Sequence, residues 1–259
     1  VVTIMGPRQV GKSTLASAMI PEDANVLEIN GDNTDVQTMF VNVDDTKMKV
    51  LIGNKNFLLV DEAQKIGNVG NMLKIVAEKS DDVKVIVTGS SAFKLAEAVN
   101  ESLTGRKREF RLYPLSFKEM ADETSALEES RLIDHRLIYG YYPEVVTSPG
   151  DEKEVIKELI DSYLYKDVLE ENDIAKQDKL VRLVQALAFQ IGSTVSANEL
   201  AGLVGVDAKT VERYIDILEK CYIIFTLPSY AKNQRNELKF ARKIYFWDMG
   251  IRNGVIGNM

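Results

Sequence analysis

The chain has 259 residues, enough for one large domain or two modest ones, and its 45% hydrophobic and 27% charged content excludes disorder over most of its length. No apolar run reaches the roughly 18–20 residues of a membrane helix and no signal peptide is visible, so neither a membrane nor export is expected. A single cysteine, Cys221, and a single histidine, His135, exclude a disulfide framework and thiolate- or histidine-rich metal sites; the net charge of −7 argues against a surface that wraps nucleic acid, and a reducing cytoplasm is the expected setting.

The first third alternates short apolar runs with helical spacing. Val1 to Met5 reads as a strand and Lys12 to Met19 as a helix. Val26 to Ile29 and Phe57 to Val60 read as strands, Asn71 to Glu78 as a helix, and Val83 to Val87 as a strand rich in β-branched residues. Phe93 to Val99 reads as a helix and Glu109 to Tyr113 as a fifth strand. Strands alternating with helices predict an α/β fold with a parallel five-stranded sheet covered on both faces. Pro114 marks a boundary, so residues 1–115 form one expected domain.

Residues 116–177 read as a helical linker or lid with a turn at Tyr139-Gly140-Tyr141-Tyr142-Pro143. Residues 178–248 follow a different rhythm: a helix, a short helix over 197–204, a turn at Gly205 and Asp207, a helix over 208–220, then strands Ile223 to Leu227 and Ile244 to Trp247. That is the order of a winged helix-turn-helix domain, and Ser196-x-x-Glu199 is the expected capping box of its short helix. Residues 249–259 read as the start of a further region, and both chain ends read as trimmed. Charge follows the same divisions, with 14 basic and 15 acidic residues in 1–115, 8 and 17 in 116–180, and 10 and 7 in 181–259. The acidic excess in the middle is expected to be a solvated helix face. His135 reads as a packed or capping residue, Cys221 as buried and inert, and Trp247 as core.

The segment Gly6-Pro7-Arg8-Gln9-Val10-Gly11-Lys12-Ser13, followed by Thr14, matches G-x-x-x-x-G-K-[ST] between a strand and a helix, the context a phosphate-binding P-loop requires. Gly6 and Gly11 let the backbone curl so that successive N–H groups face phosphate oxygens. Lys12 is placed to reach the β- and γ-phosphates, and the Ser13 hydroxyl to ligate Mg²⁺. Leu58-Leu59-Val60-Asp61-Glu62 puts Asp61 at the carboxyl edge of a buried strand, where it would hold Mg²⁺ through water, with Glu62 orienting or deprotonating the attacking water. Thr88 and Ser90, at the end of the next strand, are candidates to contact the γ-phosphate or that water; a helix N-cap at Ser90 or Ser91 is the competing reading. Arg106, in the basic cluster 105–111, is a candidate arginine finger for a neighbouring subunit's nucleotide, which would require a homo-oligomer. Asn54-Lys55-Asn56-Phe57 lacks the aspartate of a guanine signature, which leaves ATP or ADP as the expected nucleotide.

Several segments taken together resemble a known family. They are Gly6 to Thr14, Leu58-Leu-Val-Asp-Glu-Ala-Gln-Lys65, Val87-Thr-Gly-Ser-Ser91, Ser102-Leu-Thr-Gly-Arg106, Tyr113-Pro-Leu-Ser-Phe117, Gly140-Tyr-Tyr-Pro143 and Ile244-Tyr-Phe-Trp-Asp248. The set is similar to the prokaryotic AAA-type ATPases whose C-terminal half is a domain of unknown function. The resemblance implies an AAA-like P-loop core, a winged helix and, beyond it, a PD-(D/E)XK nuclease-like part that would fall after Met259, so no nuclease activity is assigned. The residues themselves suggest duplex DNA as a partner: Lys232, Arg235, Lys239, Arg242 and Lys243 stand against only Glu237 in 229–243. The expected function is a Mg²⁺-dependent ATPase coupled to the winged-helix module. The alternative is a nucleotide-gated DNA- or protein-binding regulator with little turnover.

Overall fold

Thr3 to Met5, Phe57 to Val60 and Val85 to Gly89 are buried without interruption, as strands must be when helices cover both faces of a sheet. A computed structural model describes residues 1–40, 43–79, 82–90, 103, 105–168, 177–228 and 242–259. Two compact units emerge, Val1–Tyr113 and Pro114–Met259.

The first unit is a parallel sheet of β1 (Val2–Met5), β2 (Val26–Asn30), β3 (Phe57–Asp61), β4 (Lys84–Gly89) and β5 (Arg108–Arg111), in the order β2-β3-β4-β1-β5. Four helices are described with it: α1 (Lys12–Ala18), α2 (Thr34–Met39), α3 (Asp45–Ile52) and α4 (Val69–Lys79). Helices α2 and α3 were not anticipated; α3 starts at Asp44, whose side chain accepts from the Lys47 amide at 2.8 Å. The helix expected over Phe93 to Val99 lies outside the described residues. Ala16 of α1 packs on Ile4, Leu59 and Ile86. Burying each such large aliphatic side chain contributes about 1.5–3 kcal/mol relative to exposure. The fifth strand departs from expectation: all four of its residues are exposed, and charged side chains occupy three of its positions, which suits an edge strand.

The second unit contains helices α5 (Phe117–Glu123), α6 (Ala126–Arg131), α7 (Ile133–Tyr139), α8 (Pro143–Thr147) and α9 (Glu152–Leu159), the last continued by a π-helical stretch, Ile160–Asp167. Next come α10 (Gln177–Phe189), β6 (Thr194–Val195), α11 (Ala197–Val204), α12 (Ala208–Lys220), β7 (Ile224–Leu227), β8 (Arg242–Phe246) and α13 (Met249–Val255). The three short strands form an antiparallel sheet in the order β6-β8-β7. The capping box expected at Ser196 does not form: Ser196 makes no side-chain cap, and Glu199 instead accepts from Gln190 Nε2 at 3.3 Å. A capping box does form at Ser116 and Glu119, starting α5.

The acidic middle is not uniformly solvated. Glu129 is buried, and its Oε1 accepts from Arg136 Nε at 3.1 Å and from the Tyr141 hydroxyl at 2.9 Å. Burial, reinforced by that hydrogen bond, pushes the Tyr141 hydroxyl up to about 12. His135 pairs with Glu152 at 3.2 Å and lies against the Tyr139 ring. Cys221 is buried, whereas Trp247 is half-buried and tilted against Phe225, rather than core. No helix among the described residues is long and apolar enough to cross a membrane.

Helix α13 closes this unit. Asn253 Nδ2 donates to the Leu137 and Ile138 carbonyls at 2.9 and 2.8 Å, and Arg252 Nε to the Ala188 carbonyl at 2.9 Å. These are terminal carbonyls of α7 and α10, which lack partners within their own helices. Asp248 caps α13 by accepting from the Ile251 amide at 3.0 Å and also accepts from the Tyr141 amide at 2.7 Å. Gly140 is required beside it, because a Cβ there would stand 2.2 Å from Asp248 Oδ1. Burial pushes the Asp248 carboxyl up to about 6. A raised acid pKa contributes stability below the ordinary carboxylate value near 4, and that contribution fades as pH rises through 6. Asp248→Asn leaves one side-chain oxygen for those backbone donors and is expected to lower the unfolding midpoint. The deficit relative to wild type should be larger at pH 4.5 than at pH 7.5, as read by thermal melts across that range.

Candidate functional site

At the carboxyl edge of the first sheet, β4 lies between β1 and β3, with Ile4 paired to Thr88 and Val60 to Val87. The loop after β1, the turn after β3 and the end of β4 are thereby brought together. Gly6 leaves β1 hydrogen-bonded to the Gly89 carbonyl at 3.3 Å and pressed on β5's exit, where a Cβ would meet the Leu112 carbonyl oxygen at 2.0 Å. Gln9 and Gly11 take positive φ angles of 61° and 90° that curl the loop, and Pro7 and Val10 are buried beneath it while Gln9 and Thr14 are exposed.

Lys12 is only 4% exposed and donates from Nζ to the Pro7 carbonyl at 2.6 Å. Burial pulls its pKa down to about 8, against the opposing pull of Glu62 and Asp61. Ser13 Oγ lies 2.9 and 2.8 Å from the two carboxylate oxygens of Asp61. Thr88 is fully buried; its hydroxyl donates to Asp61 Oδ1 and accepts from the Glu62 amide at 3.3 Å. Thr88 thus serves Asp61, and Ser90 serves Glu62, whose Oε2 accepts from Ser90 Oγ at 3.2 Å and has Arg8 at 3.9 Å.

The donor set suits Mg²⁺. A hydroxyl and a carboxylate, both hard oxygen donors, converge at one point. No group of three or more His, Cys, Asp or Glu that would hold a metal occurs among the described residues. Mg²⁺ characteristically binds through one or two protein oxygens together with waters and substrate phosphates.

Two residues of the site escaped the sequence reading. Gly31 follows β2, donates to the Asp61 carbonyl at 2.8 Å and passes so near Glu62 that a Cβ would stand 2.3 Å from its carbonyl oxygen. A glycine at a strand's carboxyl end was the available signal. Gln64 donates to both Glu62 and Ser90. Glu62 itself sits at φ 49°, ψ 43°, a left-handed conformation that a non-glycine residue adopts at a cost of about 1–3 kcal/mol when the surroundings hold it there.

Other candidates lie elsewhere. Arg106 is exposed and pairs with Glu78 at 2.9 Å. Its carbonyl accepts from the Val1 amine at 3.1 Å, at the amino end of β1 and so at the sheet edge opposite the phosphate loop. Lys232, Arg235 and Lys239 lie outside the described residues. Arg242 is paired with Glu212, and Lys243 is exposed.

Comparisons with known proteins agree with this architecture. Over 98% of the chain, the fold is similar to the Walker-type ATPase PABY2304 of Pyrococcus abyssi, with a TM-score of 0.63, 16% identity and 90% of that chain covered. The first unit therefore has the α/β P-loop NTPase fold. An uncharacterized protein of Haemophilus influenzae is 27% identical over 216 residues, which are 78% of this chain and 53% of the relative. An uncharacterized protein of Mycobacterium tuberculosis is 24% identical over 260 residues, 99% of this chain and 56% of the relative. The chain thus spans about half the length of the curated relatives it matches. Residues 1–121 match the AAA domain family. Residues 130–259, half of the chain, match the domain of unknown function DUF8612, and the chain belongs to that family.

Proposed function

We propose that the Val1–Tyr113 unit binds ATP with Mg²⁺ and hydrolyses it to ADP and phosphate. The observation that carries this reading is the meeting of Ser13, Asp61 and Thr88 beside Lys12 and Glu62 at one sheet edge. When bound, Mg²⁺ supplies positive charge to the phosphate oxygens. The chain supplies the remainder. Backbone N–H groups of 8–13 surround the phosphates, and Lys12 exchanges its bond to the Pro7 carbonyl for a phosphate oxygen. Ser13 and Asp61 face the metal, with Thr88 holding Asp61 in place, and Glu62 orients the attacking water and takes its proton. Adenine is favoured because the guanine signature is absent at 54–57.

The second unit receives the nucleotide signal in this reading. Three helices, α10 to α12, with β6 between the first two and β7 and β8 after the third forming an antiparallel sheet with it, support a winged-helix module at 178–248 within it. Arg106 lies at the opposite sheet edge from its own phosphate loop, which favours a role on a neighbouring copy's nucleotide.

Lys12→Ala is expected to weaken ATP binding about 10- to 100-fold in calorimetry, the loss of one charge-assisted contact. In the native chain, ATP affinity should fall as pH rises through 8, and binding should take up a proton above that pH. The reason is that phosphate restores the charge that burial removes from Lys12; calorimetry in buffers of different ionisation heat reads the uptake. Glu62→Gln should retain ATP binding and lose about 100- to 10,000-fold in kcat, the range of a general base. Specific ATPase activity should rise with protein concentration, and Arg106→Ala should abolish the rise; a flat dependence in the native chain would assign Arg106 to its pair with Glu78 alone.

A further inference from the structure

Gln64 lies in a single 3₁₀ turn, Ala63–Lys65, directly after Glu62. Its amide Nε2 donates to Glu62 Oε2 at 2.6 Å and to Ser90 Oγ at 2.8 Å, which uses both amide hydrogens. The Ser90 hydroxyl accepts from Gln64 and donates to the same Glu62 oxygen at 3.2 Å. The three side chains close a triangle on one carboxylate oxygen. The other end of the amide, Gln64 Oε1, is buried and accepts no hydrogen bond. A buried acceptor without a donor is costly, so packing and internal hydrogen bonds do not fully account for a glutamine here.

We infer that Gln64 is a positioning residue for the water-activating carboxylate, coupling Ser90 at the end of β4 to Glu62. This inference rests on the ATPase reading above. In the nucleotide-free chain, Ser90 and Gln64 hold Glu62 together. A γ-phosphate that draws the Ser90 hydroxyl to itself removes one of those two hydrogen bonds. Gln64 then keeps the carboxylate aimed at the water, and its unused Oε1 gives that water, or the protonated Glu62, an acceptor within the same cluster. Occupancy of the γ-phosphate position is thereby transmitted to Glu62 through one amide.

Steady-state kinetics, calorimetry and thermal melts on Gln64 variants of the full chain test this. Gln64→Ala should keep ATP affinity within about twofold, hold its melting midpoint, and lose about 10- to 100-fold in kcat. The Ser90→Ala, Gln64→Ala double variant should lose less than the product of the single losses, because both act through Glu62. Gln64→Glu preserves shape while setting a second carboxyl against that of Glu62. In the nucleotide-free variant, the introduced carboxyl should titrate well above the ordinary carboxylate range by ¹³C NMR, and the acid limb of its kcat profile should move up by about one pH unit. Wild-type kcat in Gln64→Ala, alongside an active native chain, overturns the role of Gln64 and leaves the ATPase reading standing. A parallel loss of kcat, ATP affinity and melting midpoint overturns it as well, by making Gln64 a structural support only. A native chain that binds ATP and never turns it over overturns both.

Discussion

Asp61 ends a strand buried on both faces, and three parts of the first unit meet at this residue: the phosphate loop through Ser13 and β4 through Thr88 at its carboxylate, and the turn after β2 through the bond from Gly31 to its backbone carbonyl. The polar groups of this half-buried strand end are satisfied by partners from the loop after β1, from β4 and from the turn after β2. The arrangement requires β4 to lie between β1 and β3, since only then does Thr88 stand beside Asp61 while the loop after β1 still reaches across. The sheet order is thus the constraint from which the geometry of the site follows. Lys12 is held by the same charges. The two carboxylates beside it oppose the lowering of its pKa by burial, and the Pro7 carbonyl accepts a hydrogen bond from its Nζ.

The parts of this site that were legible in the sequence are those where chemistry restricts residue type. The phosphate-loop pattern restricts positions 6 and 11 to glycine and position 12 to lysine, so the loop stands out in the sequence. Asp61 and Glu62 were legible only in context: four apolar residues before two carboxylates fit any strand that ends at a helix start, and their place downstream of the phosphate-loop pattern singled them out. Gln64 was not legible. Its proximity to Ser90 arises from the left-handed turn at Glu62 and from the pairing of β3 with β4, neither of which leaves a local sequence mark.

The second unit shows the same division. Helices α10, α11 and α12 were placed within a few residues, because each carries an apolar stripe at helical spacing. Helix α13 was missed. It is seven residues long and contains Gly250 and Gly254, poor helix formers whose absence of a side chain is needed: a Cβ at 250 would meet the Tyr139 carbonyl oxygen at 2.0 Å, and one at 254 the Ile160 Cδ1 at 2.5 Å. Tertiary packing and hydrogen bonds hold this helix against its own propensity. The same account explains Gly140-Tyr-Tyr-Pro143 and Trp247-Asp248, which are far apart along the chain and are joined in space by Asp248 and the Tyr141 amide.

The hydrogen bonds from Asn253 to Leu137 and Ile138 span 116 and 115 residues of chain, and that from Arg252 to Ala188 spans 64. On the ribosome, α7 and α10 therefore emerge with carbonyls that only a much later segment completes. At about 5–20 residues per second, α7 waits many seconds for α13, whereas every strand of the first sheet has been made by residue 111. The order of synthesis thus separates an early unit, whose sheet strands are complete by residue 111, from a late-closing one. Through that interval, the surfaces of α7 and α10 that α13 will cover are open to a chaperone or to a neighbouring nascent chain.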